Sequence, residues 1–504
     1  MIRPARKGSA RRAAQESTAL PHGAIVRTDI PARLDALPWS AWHWRVVIAL
    51  GVSWMLDGLE VTLVGSLGGV LQRDDTLGLS PAEIGLAGSA YIAGAVLGAL
   101  YFGRLADRLG RKRIFLVTMA LYLAATMMSA LSVDFLTFAA FRFLTGFGIG
   151  GEYGAINSAI DELIPARVRG RVNLAINGTF WLGAALGAGL SLALLDPAML
   201  GPQLGWRIAF ALGGAIGIAI VLVRRHVPES PRWLLTHGRA AEAEAVVAAI
   251  ELRVRGAQPS PTNGDLRATL TLSVGPLPSW SEIARILIDR SRRRALLGFA
   301  LMVSQAFFYN AIFFTYALVL TRFYGVPDVR VGLYIFPFAL GNFLGPLLLG
   351  PLFDAIGRRP MITATYALSG IGLAVTGYAF TRGWLDATTQ TACWAAIFFI
   401  ASAAASAAYL TVSELFPLEM RAVAISLFYA VGTGAGGFVA PALFGVLIAT
   451  GSREAVFGGY ALGAVLMLAA ATAAIAYGVA AERRPLEAVA RPLSMVDGRD
   501  GRPD

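Results

Sequence analysis

Twelve apolar runs of about 20 residues, spaced along 504 positions, constrain this chain more than any other feature. That is the length an α-helix needs to cross roughly 30 Å of hydrocarbon at about 1.5 Å per residue. The first six runs extend from Trp44 to Leu71, Pro81 to Gly103, Ile114 to Leu131, Phe135 to Ile160, Val172 to Leu195 and Ile208 to Val223. The second six extend from Ala295 to Phe323, Val331 to Phe353, Pro360 to Phe380, Ala392 to Ser413, Ala422 to Ala449 and Val456 to Ala480. With 56% hydrophobic and 15% charged residues, the chain lacks the polar surface to wrap a soluble core of this size. A lipid bilayer is its expected solvent. Glycines inside the runs, such as Gly146, Gly148, Gly150 and Gly151, would weaken a soluble helix but let membrane helices pack closely.

Alternate connections differ in Lys and Arg. One set holds Arg104, Arg108, Arg111, Lys112 and Arg113, then Arg167, Arg169 and Arg171, then Arg224, Arg225 and Arg232, and later Arg358, Arg359 and Arg421. The other set is poor in bases, reading QRDDTLGLS, SVD and LLDPAMLGPQLG, and more weakly RFYGVPDVR and TRGWLDATT. The positive-inside rule places the basic set in the cytoplasm, and an even number of crossings brings both termini there. Most of the formal charge of +11 lies beside these helices and in the tails, which argues against nucleic acid as a partner. The start, MIRPARKGSARRAAQ, is basic without an apolar core, so a cytoplasmic tail is expected rather than a secretory signal. The lone Cys393 lies in an apolar run, excludes an internal disulfide or Cys-based zinc cluster, and reads as a packing residue.

The chain repeats itself. GRLADRLGRK at Gly103 to Lys112 returns as GPLFDAIGRR at Gly350 to Arg359, and DELIPARVRG at Asp161 to Gly170 returns as SELFPLEMRA at Ser413 to Ala422. Two matches at an offset of about 250 residues indicate duplicated halves, a transporter architecture that puts the substrate site between the halves near mid-bilayer. Between them, Arg224 to Arg294 is polar, with PRWLLTHGRAAEAEAVVAAIELRVRG reading as a short amphipathic helix before a Pro/Ser/Asn/Gly linker. The expected organisation is a tail over 1–43, a six-helix bundle over 44–224, a linker over 225–294, a second bundle over 295–482 and a tail over 483–504. The linker has no Gly-rich loop ending in Gly-Lys-Ser/Thr, so ATP-driven pumping is not expected, and no cofactor is implied.

These features resemble the major facilitator superfamily over nearly the whole chain apart from the tails. The resemblance implies an all-α membrane protein of 12 transmembrane helices in two pseudo-symmetric six-helix bundles, working as a monomer because the pore lies within one chain. Gly103, Asp107, Arg108, Gly110, Arg111 and Lys112 fit the superfamily's loop signature between helices two and three. The second copy keeps Gly350, Asp354, Gly357, Arg358 and Arg359 but has Ala355 where a basic residue usually follows the Asp. PESPRWL at Pro228 to Leu234 is similar to the motif after helix six in sugar porters and in organic-ion and synaptic-vesicle-protein-like transporters. In FRFLTGFGIGGEYGA, Arg142 and the glycines are similar to sugar porters, and Gly150-Gly151-Glu152 to metabolite–proton symporters. DGLE at Asp57 to Glu60 resembles the acidic first helix of aromatic-acid–proton symporters.

An Asp at a cytoplasmic helix end can pair with nearby Arg or cap a helix of the facing bundle. Asp107, Arg108, Arg111, Glu152, Asp354 and Arg358 are therefore candidate gating residues, with Glu162–Arg169 and Glu414–Arg421 as comparable latches. The alternative is that they only fix topology.

Asp57 and Glu60 lie about 18 and 22 Å into the membrane from Arg45, on one helix face. An ionised carboxylate there costs several kcal/mol unless paired, hydrated or protonated. Arg142, entering from the other side, falls at about the same depth. The resemblance places Glu60 and Arg142 at the proton-coupling pair of sugar porters. The expectation is that Glu60, assisted by Asp57, alternates between a proton and Arg142. A static ion pair, or an Arg142 that clamps a substrate carboxylate, are the alternatives.

SQAFFYNAIFFTY in the seventh run puts Gln305, Tyr309, Asn310 and Tyr316 among apolar residues. By resemblance, Gln305 and Asn310 match sugar-porter contacts, as does Asn177 in the fifth run, whereas Ser304, Phe308, Phe314-Thr315 and Ala184 depart from that pattern. Tyr409 stands where sugar porters have a Trp, with Ser406 at their Pro. A site with fewer amides and more Phe and Tyr suits an aromatic or partly apolar carboxylate better than a sugar. The expected function is a proton-coupled symporter importing a small organic acid by alternating access in a bacterial inner membrane. Sugar or polyol symport and metabolite or drug efflux stay open. Four His and one Cys at unsuitable spacing offer no enzyme centre.

Overall fold

The computed structural model describes residues 20–194, 197–224, 228–256, 269–313 and 315–496. Expectations that fall on residues 1–19, Arg225, Phe314, most of the Pro/Ser/Asn/Gly stretch and the last residues of the chain lie outside these. Among the described residues, twelve helical passages follow one another. They are α1 (Ala41–Ser66), α2 (Pro81–Leu109), α3 (Arg111–Ser129), α4 (Phe135–Leu163), α5 (Arg169–Leu194) and α6 (Pro197–Arg224). In the second half come α7 (Arg292–Phe313, resuming as Tyr316–Tyr324), α8 (Asp328–Ala355), α9 (Arg358–Thr381), α10 (Ala387–Leu415), α11 (Arg421–Gly432, continuing as Val439–Ala449) and α12 (Arg453–Tyr477). Nine spans among the described residues are long and apolar enough to cross a membrane on composition alone. The α4 helix is not among them, because Arg142, Glu152 and its glycines dilute it.

Two runs that read as continuous are broken. The α11 run passes through a π turn at Thr433–Gly437, where TGAGG offers little side-chain packing to enforce the α repeat. In the α7 run a new helix starts after Thr315, the residue before Tyr316–Tyr324. Starts are sharp on the face away from the termini: Ser80, Asp134 and Asp386 each cap a helix reciprocally with Glu83, Thr137 and Thr389.

Glycines set the helix spacing. A Cβ on Gly146 or Gly150 of α4 would lie 2.0 or 1.9 Å from the carbonyl oxygen of Tyr91 or Ala95 on α2. A Cβ on Gly58 of α1 or Gly183 of α5 would meet the carbonyl of Phe180 or Met55 at 1.8 or 1.7 Å. Between the halves, α5 packs along α8 and α2 along α11, which are pseudo-symmetric equivalents.

Outside the bundles, the strand β1 (Ile25–Thr28) pairs antiparallel with β2 (Leu270–Ser273), and Met495 bridges to Leu272. The N-terminal segment, the linker and the C-terminal segment thus meet on one side, called here the basic face. The linker's expected single amphipathic helix is two, Pro231–Thr236 and Ala240–Arg255, because Gly238 turns the chain at φ +70°. Arg33 ties the N-terminal segment to the second of them through Glu244 and Glu251 at 2.6 and 2.7 Å.

Candidate functional site

Three layers lie along the seam between the bundles. In the first half, Glu60 of α1 meets Arg142 of α4 at 3.0 Å, both buried. Thr126 of α3 donates to the same Glu60 oxygen at 2.8 Å. Arg142 also donates to Ser129 at 2.7 Å and Thr145 at 3.1 Å, and its guanidinium lies 4.7 Å over the Phe210 ring. The terminal nitrogens of Arg142 thus turn to Glu60, Ser129 and Thr145 within its own bundle, while its buried Nε has no hydrogen-bond partner among the described residues. Asp57, one turn earlier, is buried within electrostatic reach of Tyr91, Tyr153 and Tyr429.

The second layer is a cavity of about 160 Å³ between the halves. Six aromatic side chains line it: Trp54, Tyr153, Phe180, Trp181, Tyr309 and Tyr409. The polar lining comes from Asn177, Gln305, Ser402 and Ser406, and no charged side chain appears among the described lining residues. Tyr309 is fixed by donating to Asn342 Oδ1 at 2.8 Å, and Asn177 by donating to Asn173. Gln305 donates to Met302 Sδ at 3.9 Å, and its side chain stands beside the Tyr409 hydroxyl. Of the residues expected here, Asn177, Gln305, Tyr309 and Tyr409 come together. Asn310 and Tyr316 do not. Asn310 points a step round α7, bonding the Ala306 carbonyl at 2.6 Å and facing Gly437 of the π turn. Tyr316 follows the α7 break and bonds Thr391 of α10. Trp54, Tyr153, Phe180 and Trp181 were not anticipated. Trp181 lies one turn from Asn177 and Trp54 one turn from Asp57, so helical spacing carried that signal.

The third layer closes the basic face. Asp107 pairs with Arg111 at 3.0 Å and accepts the main-chain N–H of Val423 in α11 at 3.0 Å. In the other half, Asp354 pairs with Arg358 at 2.8 Å and accepts the N–H groups of Gly170 and Arg171 in α5 at 3.1 and 2.8 Å. Each Asp therefore sits on the positive end of a helix of the opposite bundle. Glu162 contacts Arg111 at 3.3 Å and Arg421 at 3.6 Å, while Glu414 contacts Arg358 at 3.1 Å and Arg169 at 3.9 Å. The expected Glu162–Arg169 and Glu414–Arg421 pairs are crossed, because the N-termini of α5 and α11 turn their first residue toward the facing bundle. Arg108 is exposed, outside this cluster, as is Ala355 at its equivalent, so the missing base in the second copy removes no contact from it. Glu152 is fully buried about 15 Å from Glu162 along α4, between cavity and latch.

The segments outside the bundles reinforce this layer. Glu229 of PESPRWL accepts the N–H of Arg111 at 3.0 Å and of Lys112 at 3.3 Å, capping α3. Burial pushes its carboxyl above the ordinary range, against those N–H groups and the Arg111 charge. Gly110, at φ +101°, is required there: a Cβ would lie 2.3 Å from Glu229 Oε2. Glu482, after α12, caps α9 in the same way through Arg358 N–H at 3.2 Å. Arg232 joins Glu487 of the C-terminal segment at 2.7 Å to the Glu162 carbonyl at 2.6 Å.

Residues 62–491 match the family model described as "Sugar (and other) transporter". The chain belongs to that family. This member of the sugar (and other) transporter family is 29% identical over 416 residues to the niacin transporter NiaP of Acinetobacter baylyi, covering 82% of this chain and 89% of the relative. It is 34% identical over 221 residues to the 4-hydroxybenzoate transporter PcaK of Pseudomonas aeruginosa, covering 44% and 47% of the two chains. Its fold is that of the major facilitator superfamily. A solved structure of the proton:xylose symporter XylE matches with a TM-score of 0.70 at 18% identity, over 88% of this chain and 98% of that one. The protein is an integral membrane transporter of major facilitator type and not an enzyme.

Proposed function

We propose that the protein is a proton-coupled symporter that carries a single-ring aromatic carboxylic acid into the cell, with the basic face and both termini in the cytoplasm of a bacterial inner membrane. The observation that carries this reading is the cavity: six aromatic walls around two amides and two serines, in a volume of about 160 Å³. A cavity of about 150 Å³ accommodates one benzene ring. Sugars need many directed hydrogen bonds, and here the Asn177 NH2 and the Tyr309 O–H already donate to Asn173 and Asn342, which leaves these two residues only acceptor positions for a ligand. That the relatives include carriers of niacin and 4-hydroxybenzoate, both ring carboxylates, points the same way.

Glu60 supplies the proton step. Protonated, it loses its attraction for Arg142, which keeps Ser129 and Thr145 as partners. Breaking the pair frees α1 against α4, and opening of the crossed latch at Asp107 and Asp354 admits the cavity to the cytoplasm. Proteoliposomes given labelled aromatic acids, aliphatic acids and sugars under an inward proton gradient test the substrate class. Uptake of ring carboxylates alone is expected; uptake of sugars alone overturns the reading in favour of sugar or polyol symport.

A further inference from the structure

The latch divides into two formally neutral sets. Asp107, Glu162, Arg111 and Arg421 form one, and Asp354, Glu414, Arg358 and Arg169 the other. Asp161 belongs to neither. It precedes Glu162 at the end of α4, about 39 Å along the axis from Phe135 and so past roughly 30 Å of hydrocarbon. It is fully buried, and the one donor near its carboxylate is the Ser413 hydroxyl, which stands outside good hydrogen-bond geometry. No other carboxylate among the described residues has both oxygens buried and outside such geometry.

The internal repeat shows that the fold does not need an acid there. In DELIPARVRG and SELFPLEMRA, Asp161 aligns with Ser413, whose hydroxyl is used within α10 on the Leu410 carbonyl at 2.9 Å. Around Asp161 stand Glu162 on its own helix, Glu414 and Ser413 from α10, Arg169 from α5 and Arg421 from α11. Both arginines already serve other acids: Arg169 meets Glu414 and Asp35, and Arg421 meets Glu162. Behind Arg421 the linker and C-terminal segment bring Arg232 and Glu487, paired at 2.7 Å, with Asp35 of the N-terminal segment also 3.7 Å from Arg232. Asp161 is thus an acid without a salt-bridge partner of its own, desolvated and with only the Ser413 hydroxyl as a nearby side-chain donor. As an ion there it would cost several kcal/mol, and as a neutral acid much less.

We propose that Asp161 is a second proton-binding site, occupied when the basic face is closed and emptied when that face opens to water. This rests on the reading that the basic face opens during transport. Its consequence is that acid on that side holds the face shut, while rising pH releases it independently of Glu60. One proton bound only in the closed state changes the closed-to-open ratio by up to about tenfold per pH unit.

The test uses the full chain in nanodiscs, with spin labels at Leu109→Cys and Ile356→Cys, exposed positions at the basic ends of α2 and α8, in a Cys393→Ala background. Glu60→Gln is added to silence the first proton site. The expected result is a closed-to-open ratio that falls as pH rises. Asp161→Ser and Asp161→Asn, both uncharged, should each abolish that response with the closed distance favoured at every pH. A pH-independent ratio before Asp161 is changed, or an undiminished response in Asp161→Ser, overturns the second proton site alone. A single closed distance under every condition overturns it together with the alternating-access reading.

Discussion

Asp107, near the end of α2 in one bundle, accepts the main-chain N–H of Val423 at the head of α11 in the other, at 3.0 Å. The bond is charge-assisted and crosses the seam, so it exists only while the basic face is shut. Replacing Asp107 with Asn keeps the shape and removes the charge. The expected loss is about 1–2 kcal/mol, or roughly five- to thirtyfold in the closed-to-open ratio. Thiol labelling from the basic face of a cysteine placed at Ala405 in the cavity wall measures it. Faster labelling in Asp107→Asn is expected, and an unchanged rate would show that the contact is not part of the gate.

Helix spacing gives a prediction with its own control. Gly183→Ala places a methyl 1.7 Å from the Met55 carbonyl oxygen, whereas a Cβ on Gly189, two turns on, meets nothing within 4 Å. Overpacking of this kind costs about 1–3 kcal/mol. In detergent, Gly183→Ala should unfold several degrees below the parent and Gly189→Ala should match it.

The architecture was legible in the sequence because most crossings repeat one requirement, about 20 apolar residues, and because the loop signatures recur in both halves. Where Glu162 and Arg169 lie seven positions apart, proximity in sequence suggested a local pair, yet the pairing is across the seam to Arg421. Sequence spacing reports on one helix and is silent about which bundle a helix start faces. The cavity was half legible for a related reason. Gln305 and Asn310 are both polar in an apolar run, but only the side of α7 that meets α5 and α10 decides that Gln305 lines the space. The aromatic walls were obscured by the many Phe and Trp residues that serve ordinary packing elsewhere.

Gln305 is the amide in the cavity with the weakest internal bond. Gln305→Leu keeps its bulk and removes its hydrogen bonds. The dissociation constant for an aromatic acid should rise about three- to thirtyfold, the worth of one or two hydrogen bonds. Quenching of cavity tryptophan fluorescence follows this binding, since Trp54 and Trp181 form part of the wall.

Linker docking should weaken in acid. His237 stacks on Trp233 with ring centroids 4.1 Å apart, and burial lowers its pKa from 6.5 to about 4. A released linker would take up a proton that the docked one excludes, so docking is full above about pH 6.5 and is lost as pH falls toward 4. His237→Phe preserves the stack without the titration. Between about pH 7.5 and 5 the parent's unfolding temperature should fall more than that of His237→Phe.

The central claim is that the Glu60–Arg142 pair couples protons to solute. Accumulation of a labelled aromatic acid in proteoliposomes under an inward proton gradient, set beside counterflow exchange without one, tests it most directly. Glu60→Gln is predicted to abolish accumulation while counterflow persists, because exchange needs alternating access but no net proton movement. Undiminished gradient-driven accumulation by Glu60→Gln would contradict the account.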